Sequence, residues 1–235
     1  MRILAFDTAL NACSVAIMDD RDILAHTHEK RRRGHAEALI PMIEDLMDGI
    51  GLAYTEIDLI AVTVGPGTFT GLRIGLAAAR GMSLAARKPL VGITTLEALA
   101  AAVPQGMAQG CPVIATADAR RGEVYLQSFN MKNDNDIISP LSSPKACKIE
   151  TALASTGLEK AFIIGSGGAL LRSQSGFDET RYQLLNLDED PDARHIARIA
   201  LERGAPPPNS TSPAPLYLRA PDAKLPGGQT PTIGK

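Results

Sequence analysis

Residues 64–86 read VGPGTFTGLRIGLAAARGMSLAA. A glycine- and proline-rich turn, Gly65-Pro66-Gly67-Thr68-Phe69-Thr70-Gly71, runs into a helix almost bare of bulky side chains. A glycine inside a helix costs about 1 kcal/mol relative to alanine, so Gly75 and Gly81 each need a compensating reason. Close approach of another backbone is the usual one. Gly71, Gly75 and Ala79 lie four apart and form a stripe of small residues on one helical face. The stripe either packs inside the chain or receives a partner helix. The turn is not a nucleotide-binding P-loop. It reaches Gly71 without a lysine, and Leu72 follows where a magnesium-binding hydroxyl would be needed.

Around that segment the chain alternates strands and helices. Apolar runs at Ile3–Phe6, Cys13–Met18 and Ile23–His28, separated by short turns, predict a three-stranded meander. From Ala36 to Ile50 apolar residues recur three and four apart, which predicts a helix. Leu59–Val64 is a strand into the glycine turn, the helix runs from Leu72 to Ala86, and Lys88-Pro89 stops it. A strand at Leu90–Ile93 and a helix at Leu96–Ala102 complete a βββαβαβα series. Pro104–Pro112 marks a lobe boundary. Beyond it, strands are expected at Val113–Ala117, Val124–Phe129, Ala161–Ile164 and Tyr182–Leu187. Residues 132–136 are expected to form a polar hairpin tip, and Ala193–Arg203 a helix. The eight prolines after Gly204 exclude regular helix from the tail, although PLYLR at 215–219 can pack on the body. The last ten residues are expected to be mobile.

In both halves a strand ends in an acid, Asp7 or Asp118, followed by a turn and a second strand. The repeat predicts an α/β protein of two similar lobes facing a cleft: residues 1–105, residues 106–204, and a proline-rich tail over 205–235. Asp7, Thr8 and Ser14 of one lobe would then meet Asp118, Arg120 and Gly122 of the other. Gly167 and Gly168, in the loop Gly165-Ser166-Gly167-Gly168, would add exposed backbone. Carboxylates and turn amides of this kind suit a cation or phosphates. Both aspartates can equally be turn caps. The run Lys30-Arg31-Arg32-Arg33 either touches RNA phosphates or is a solvated loop.

Composition removes several functions. The 235 residues carry a net charge of −2, so no global field gathers nucleic acid or an anionic membrane. Three widely spaced cysteines, with no CxxC, suit reduced thiols in the cytosol. The apolar start is interrupted at Asp7, too soon for a signal-peptide core, and no apolar run reaches membrane-span length. With no tryptophan and 4% aromatic residues, a base-stacking surface is not expected.

Four segments carry a family resemblance: Asp7-Thr8 to Ser14-Val15-Ala16, Arg33-Gly34-His35-Ala36-Glu37, GPGTFTGLRIG at 65–75 and DARRGEVY at 118–125. Together they resemble the bacterial TsaB (YeaZ) family from Met1 to about Tyr125. The resemblance then thins to Gly165–Gly168 and Tyr217-Leu218-Arg219. It implies an actin-like ATPase fold (ASKHA, ribonuclease H-like) of two similar lobes. It also implies a non-catalytic cytoplasmic subunit for threonylcarbamoyl modification of the adenosine beside the anticodon of ANN-decoding tRNAs. The implied partners are the catalytic paralogue TsaD and the ATPase TsaE, with tRNA met only through the complex, no membrane, and a homodimer through the TsaD-binding face. No tightly bound cofactor is implied; ATP or ADP would bind weakly at the cleft residues or at a subunit interface. TsaD holds a metal with two histidines spaced HxxxH, and Thr95 and Leu99 occupy those positions here. The expected docking face comprises Leu39 and Ile43 of the first helix with Gly71, Leu72, Gly75, Leu76, Ala78, Ala79 and Met82 of the second. A small-molecule kinase or a metallopeptidase is the competing reading. A metallopeptidase lacks a visible metal pair, while Asp118 could serve a kinase as its acid.

Overall fold

The structure is a computed structural model, and it describes residues 1–108, 110–131, 138–208 and 210–219. The polar tip expected at 132–136 and the last ten residues, whose mobility is an expectation from sequence, lie outside the described residues. Strands β1 (Arg2–Asp7), β2 (Ala12–Asp19), β3 (Asp22–Lys30), β4 (Leu59–Gly65) and β5 (Leu90–Thr94) form one sheet in the order β3-β2-β1-β4-β5. Strands β6 (Val113–Arg120), β7 (Glu123–Met131), β8 (Ile138–Pro140), β10 (Ala161–Ile164) and β11 (Tyr182–Leu184) form the other, in the order β11-β10-β6-β7-β8. A short β9 (Lys145–Lys148) also pairs with β7. In each sheet an antiparallel hairpin is extended by two parallel strands, so β6-β7-β8-β10-β11 repeats β1-β2-β3-β4-β5. This doubled sheet is the arrangement of two similar lobes that the strand–acid–turn–strand repeat predicts.

Both faces of each sheet are covered, which is why the strands read as nearly continuous apolar runs. On the first sheet Leu4, Phe6, Val15 and Ile17 point toward helices α1 (His35–Gly49) and α2 (Phe69–Ala86). The alternate residues Ile3, Ala5, Ala16 and Met18 point toward α6 (Ala193–Arg203). On the second sheet Ile114, Val124, Leu126 and Ile163 lie under the short helices α4 (Ile149–Ala152) and α5 (Gly168–Arg172). Val113, Ala115, Ala117 and Phe129 face Leu96 and Leu99 of α3 (Thr95–Ala100). Helices α3 and α6 thus fill the space between the sheets.

The two helices are exchanged relative to their places in the chain. Residues 193–203 fall within the second lobe by sequence position, yet α6 packs on the first sheet through Ala193, Ile196, Ala197 and Ala200. Helix α3 reciprocates by packing against β6. Polar side chains on β3 hold the entry to α6. Alternate residues His26, His28 and Lys30 share one face of the strand and meet Asp192, Asp188 and Asp190. His26 Nε2 lies 3.0 Å from Asp192, His28 Nε2 lies 3.3 Å from Asp188, and Lys30 Nζ contacts both Asp188 and Asp190, the latter at 2.8 Å. Asp192 also caps α6 by accepting from the amide of Arg194.

Candidate functional site

The glycine turn folds onto the turn after β1. The amide of Thr68 donates to Ala9 O at 2.8 Å, and the Thr8 hydroxyl donates to Gly71 O at 2.7 Å. A Cβ on Gly71 would stand 2.0 Å from Thr8 O, and one on Gly75 would stand 2.7 Å from Thr8 Oγ1. Ala79 is fully buried in the same layer. The small stripe therefore admits the chain's own β1 turn. That corrects the docking expectation for most of its residues. Leu39, Ile43, Gly71, Leu72, Gly75, Leu76 and Ala79 are buried within this chain and cannot be offered to a partner. The amphipathic pattern had marked their face as apolar without saying what covers it. Ala78 and Met82 are half-buried, and the outer side of α2 presents Ala77, Arg80, Gly81, Leu84 and Ala85. Leu84 is 82% exposed, and Ile40 of α1 is 38% exposed.

Asp7 does not face the cleft. It is completely buried; its Oδ1 accepts from the Thr63 hydroxyl at 2.5 Å and from the amide of Ala9 at 3.1 Å. Its Oδ2 is buried without a partner. Burial pushes its pKa up to about 7, against the opposing hydrogen bonds from Thr63 and Ala9, and the nearby charge of Asp190 adds to the rise. Thr8 and Ser14 are buried as well. Ser14 Oγ accepts from the amide of Ala193 at 3.0 Å, so it secures the start of α6. None of the three lines the cleft: the glycine turn covers Thr8, the start of α6 covers Ser14, and Asp7 is held inward by Thr63.

In the second lobe Asp118 is half-buried at the cleft wall. It accepts from the amide of Arg120 at 2.7 Å and pairs with that guanidinium at 3.3 Å. Asp118 thus caps the β6–β7 turn, where Arg120, Arg121 and Gly122 all have positive φ. Gly167 and Gly168 are buried and face packing partners. A Cβ on Gly167 would lie 2.3 Å from Thr116 Oγ1, and one on Gly168 would lie 2.3 Å from Leu184 Cδ1. The loop expected to expose backbone thus seats on Thr116 as the first-lobe glycines seat on Thr8.

A cleft of about 830 Å³ remains between the lobes. Arg32, Arg33 and His35 line it from the start of α1, Thr68 and Thr70 from the glycine turn, and Asp118, Arg120 and Ser166 from the second lobe. Of the expected cleft residues only Asp118 and Arg120 line it; Gly122, Gly167 and Gly168 do not. Arg32 and Arg33 are the contribution that sequence reasoning left open as a solvated run. Gly34, directly before the helix with φ 79°, is what turns that run toward the cleft. Arg32, Arg33 and Arg120 outnumber the carboxylates Glu37 and Asp118 on this lining, which leaves it a net attraction for anions.

Thr95 and Leu99 are fully buried on α3, and Leu99 packs beside Gly165. Among the described residues no three His, Cys, Asp or Glu side chains are grouped to hold a metal ion. No helix among them is long and apolar enough to cross a membrane.

Residues 22–173 match the family model described as TsaD: tRNA N6-adenosine threonylcarbamoyltransferase. The tRNA threonylcarbamoyladenosine biosynthesis protein TsaB of Haemophilus influenzae is 34% identical over 175 residues, covering 72% of this chain and 73% of that protein. The chain belongs to this family, among its TsaB (YeaZ) members. The TsaB protein of Escherichia coli is 40% identical over 144 residues, a match that spans 58% of each chain. The structure of YeaZ from Pseudomonas aeruginosa superimposes with a TM-score of 0.76 at 28% identity, covering 92% of this chain and 99% of that one. The TsaB resemblance in GPGTFTGLRIG and DARRGEVY falls on the two turns that flank the cleft, the glycine turn on Thr8 and the β6–β7 turn around Asp118.

Proposed function

We propose that this TsaB-family chain is a non-catalytic, cytoplasmic subunit in the synthesis of threonylcarbamoyladenosine on ANN-decoding tRNAs, and that it activates the catalytic paralogue TsaD by docking against it. The observation that carries the reading is the outer face of α2. An exposed Leu84 sits among Ala77, Gly81 and Ala85, with Ile40 exposed on the adjoining α1. Small residues around one large apolar side chain let a second helix approach closely while burying apolar area. The same face would serve a homodimer, because two copies of this chain each present it. Recruitment of the ATPase TsaE follows from the paired state, and tRNA is met through the complex.

The burial of Thr95 and Leu99 supports a supporting role in place of an autonomous one. A hydroxyl and an aliphatic chain cannot replace two imidazoles at a metal. Nucleotide, where it binds, meets the arginine-lined cleft and not Asp7, Thr8 or Ser14, and it binds weakly because no lysine-bearing phosphate loop is present. Reconstitution tests the proposal. TsaD, TsaE and tRNA are assayed for threonylcarbamoyl transfer with and without this chain, and its co-purification with tagged TsaD is measured. Transfer that is indifferent to this chain, together with no co-purification, would refute it.

A further inference from the structure

The proline-rich tail crosses from one lobe to the other. Pro213 lies on Gly92 of β5, and its carbonyl accepts from Arg80 Nη2 at 2.6 Å. The amide of Leu216 donates to Val64 O at 2.7 Å, at the end of β4. The ring of Tyr217 stacks on Phe69 with centroids 5.8 Å apart, and the Arg73 guanidinium covers Phe69 at 3.6 Å. These contacts all belong to the first lobe. Two residues further on, Arg219 Nη1 donates to Ala119 O at 3.1 Å, and its Nε lies 3.5 Å from Glu123 Oε2. These acceptors lie at the end of β6 and the start of β7, on either side of the β6–β7 turn of the second lobe.

The position of this crossing gives it a mechanical role. The chain already passes between the lobes from α3 to β6 and from β11 to α6, beside the buried pair α3 and α6. Two such crossings through a packed centre leave rotation about that centre as the soft motion. The tail adds a third tie, running past the glycine turn. Its first-lobe anchor adjoins Gly67, Thr68 and Thr70, and its second-lobe anchor adjoins Asp118 and Arg120, all of which line the cleft. We propose that Pro213–Arg219 is a latch beside the cleft that fixes the angle between the lobes. The planar fork of Arg219 makes the closing contact, and the Phe69–Tyr217 stack anchors the strap.

The test reads the interlobe distance. Spin labels are placed at Ala36→Cys and Ala169→Cys, two exposed residues on opposite cleft walls, in a Cys111→Ser, Cys147→Ser background with buried Cys13 retained. The latched chain gives one narrow distribution. Arg219→Ala shifts it to longer distances and broadens it at least about twofold, with hydrogen exchange in the β6–β7 turn about tenfold faster. Arg219→Lys gives an intermediate result, since an ammonium keeps the charge and loses the fork. Arg172→Ala removes an exposed ion pair to Glu179 within the second lobe and leaves the distribution unchanged. A folded Arg219→Ala chain with the parent distribution and exchange would overturn the latch. So would global unfolding, because a latch joins two lobes that are already formed.

Discussion

Replacing Gly75 by alanine tests whether the small stripe of α2 serves the chain itself. The new Cβ would lie 2.7 Å from Thr8 Oγ1 and 3.3 Å from Val62 Cγ2, both inside normal contact. The Thr8 hydroxyl must move, which breaks its buried hydrogen bond to Gly71 O. Losing that bond costs about 1–3 kcal/mol, and crowding a packed layer costs about 1–3 kcal/mol more. The better helix propensity of alanine returns about 1 kcal/mol. The net loss is about 1–5 kcal/mol, or a fall in Tm of roughly 2–20 °C for a chain of this size. Gly81 is the control, because a Cβ there meets nothing within 4 Å. Gly81→Ala should stabilise by about 0.5–1 kcal/mol. Urea unfolding of the two variants, of Thr8→Ala and of Thr8→Ala/Gly75→Ala completes the experiment. Removing Oγ1 also removes the clash, so the double variant should be no less stable than Gly75→Ala alone. The reasoning fails if Gly75→Ala is as stable as the parent, or if the two losses simply add. An unchanged Tm together with lost TsaD binding would instead assign the stripe to a partner.

Further outcomes follow from the surface and the buried charges. Leu84→Arg should leave Tm within about 1 °C while abolishing co-purification with TsaD, since the side chain is 82% exposed; retained binding by pull-down would exclude this face. Asp7 is raised from 3.8 to about 7 in the folded chain, so the native state holds a proton that the unfolded chain has released between those values. Stability should therefore fall as pH rises from about 4 to about 7, by on the order of 3–5 kcal/mol, and Asp7→Asn should flatten that slope in urea titrations. Asp192 moves the other way. Despite the opposing effect of burial, the hydrogen bonds from His26 and Arg194 hold its pKa below the usual range, so its contribution is present above about pH 4 and is lost on acidification. Asp192→Asn should remove that acid-side loss, and an unchanged acid limb of the stability profile would contradict it. Arg32→Ala/Arg33→Ala should weaken phosphate or ATP binding in the cleft and reduce its salt dependence, by calorimetry at two ionic strengths; unchanged affinity would remove these residues from the site.

Much of the architecture was written locally. Short apolar runs at Ile3–Phe6 and Cys13–Met18, three- and four-residue spacing in Ala36–Ile50, and the two strand–acid–turn–strand units identify a doubled α/β chain, because a strand covered on both faces is apolar throughout and a helix shows its apolar face in its own period. The stretch at 64–86 announced close approach, since glycine without a side chain has few other uses inside a helix. The lack of imidazoles at Thr95 and Leu99 was equally plain. What approaches Gly75 could not be read, because a bare helical face is the same whether Thr8 or a partner covers it. Tertiary structure alone buried Asp7 against Thr63 and turned Ser14 to the start of α6. It also exchanged α3 and α6 between the sheets and brought Arg32 and Arg33 to Asp118. Each of these depends on residues far apart in the chain meeting across a layer, and local periodicity says that a face is covered without saying by what.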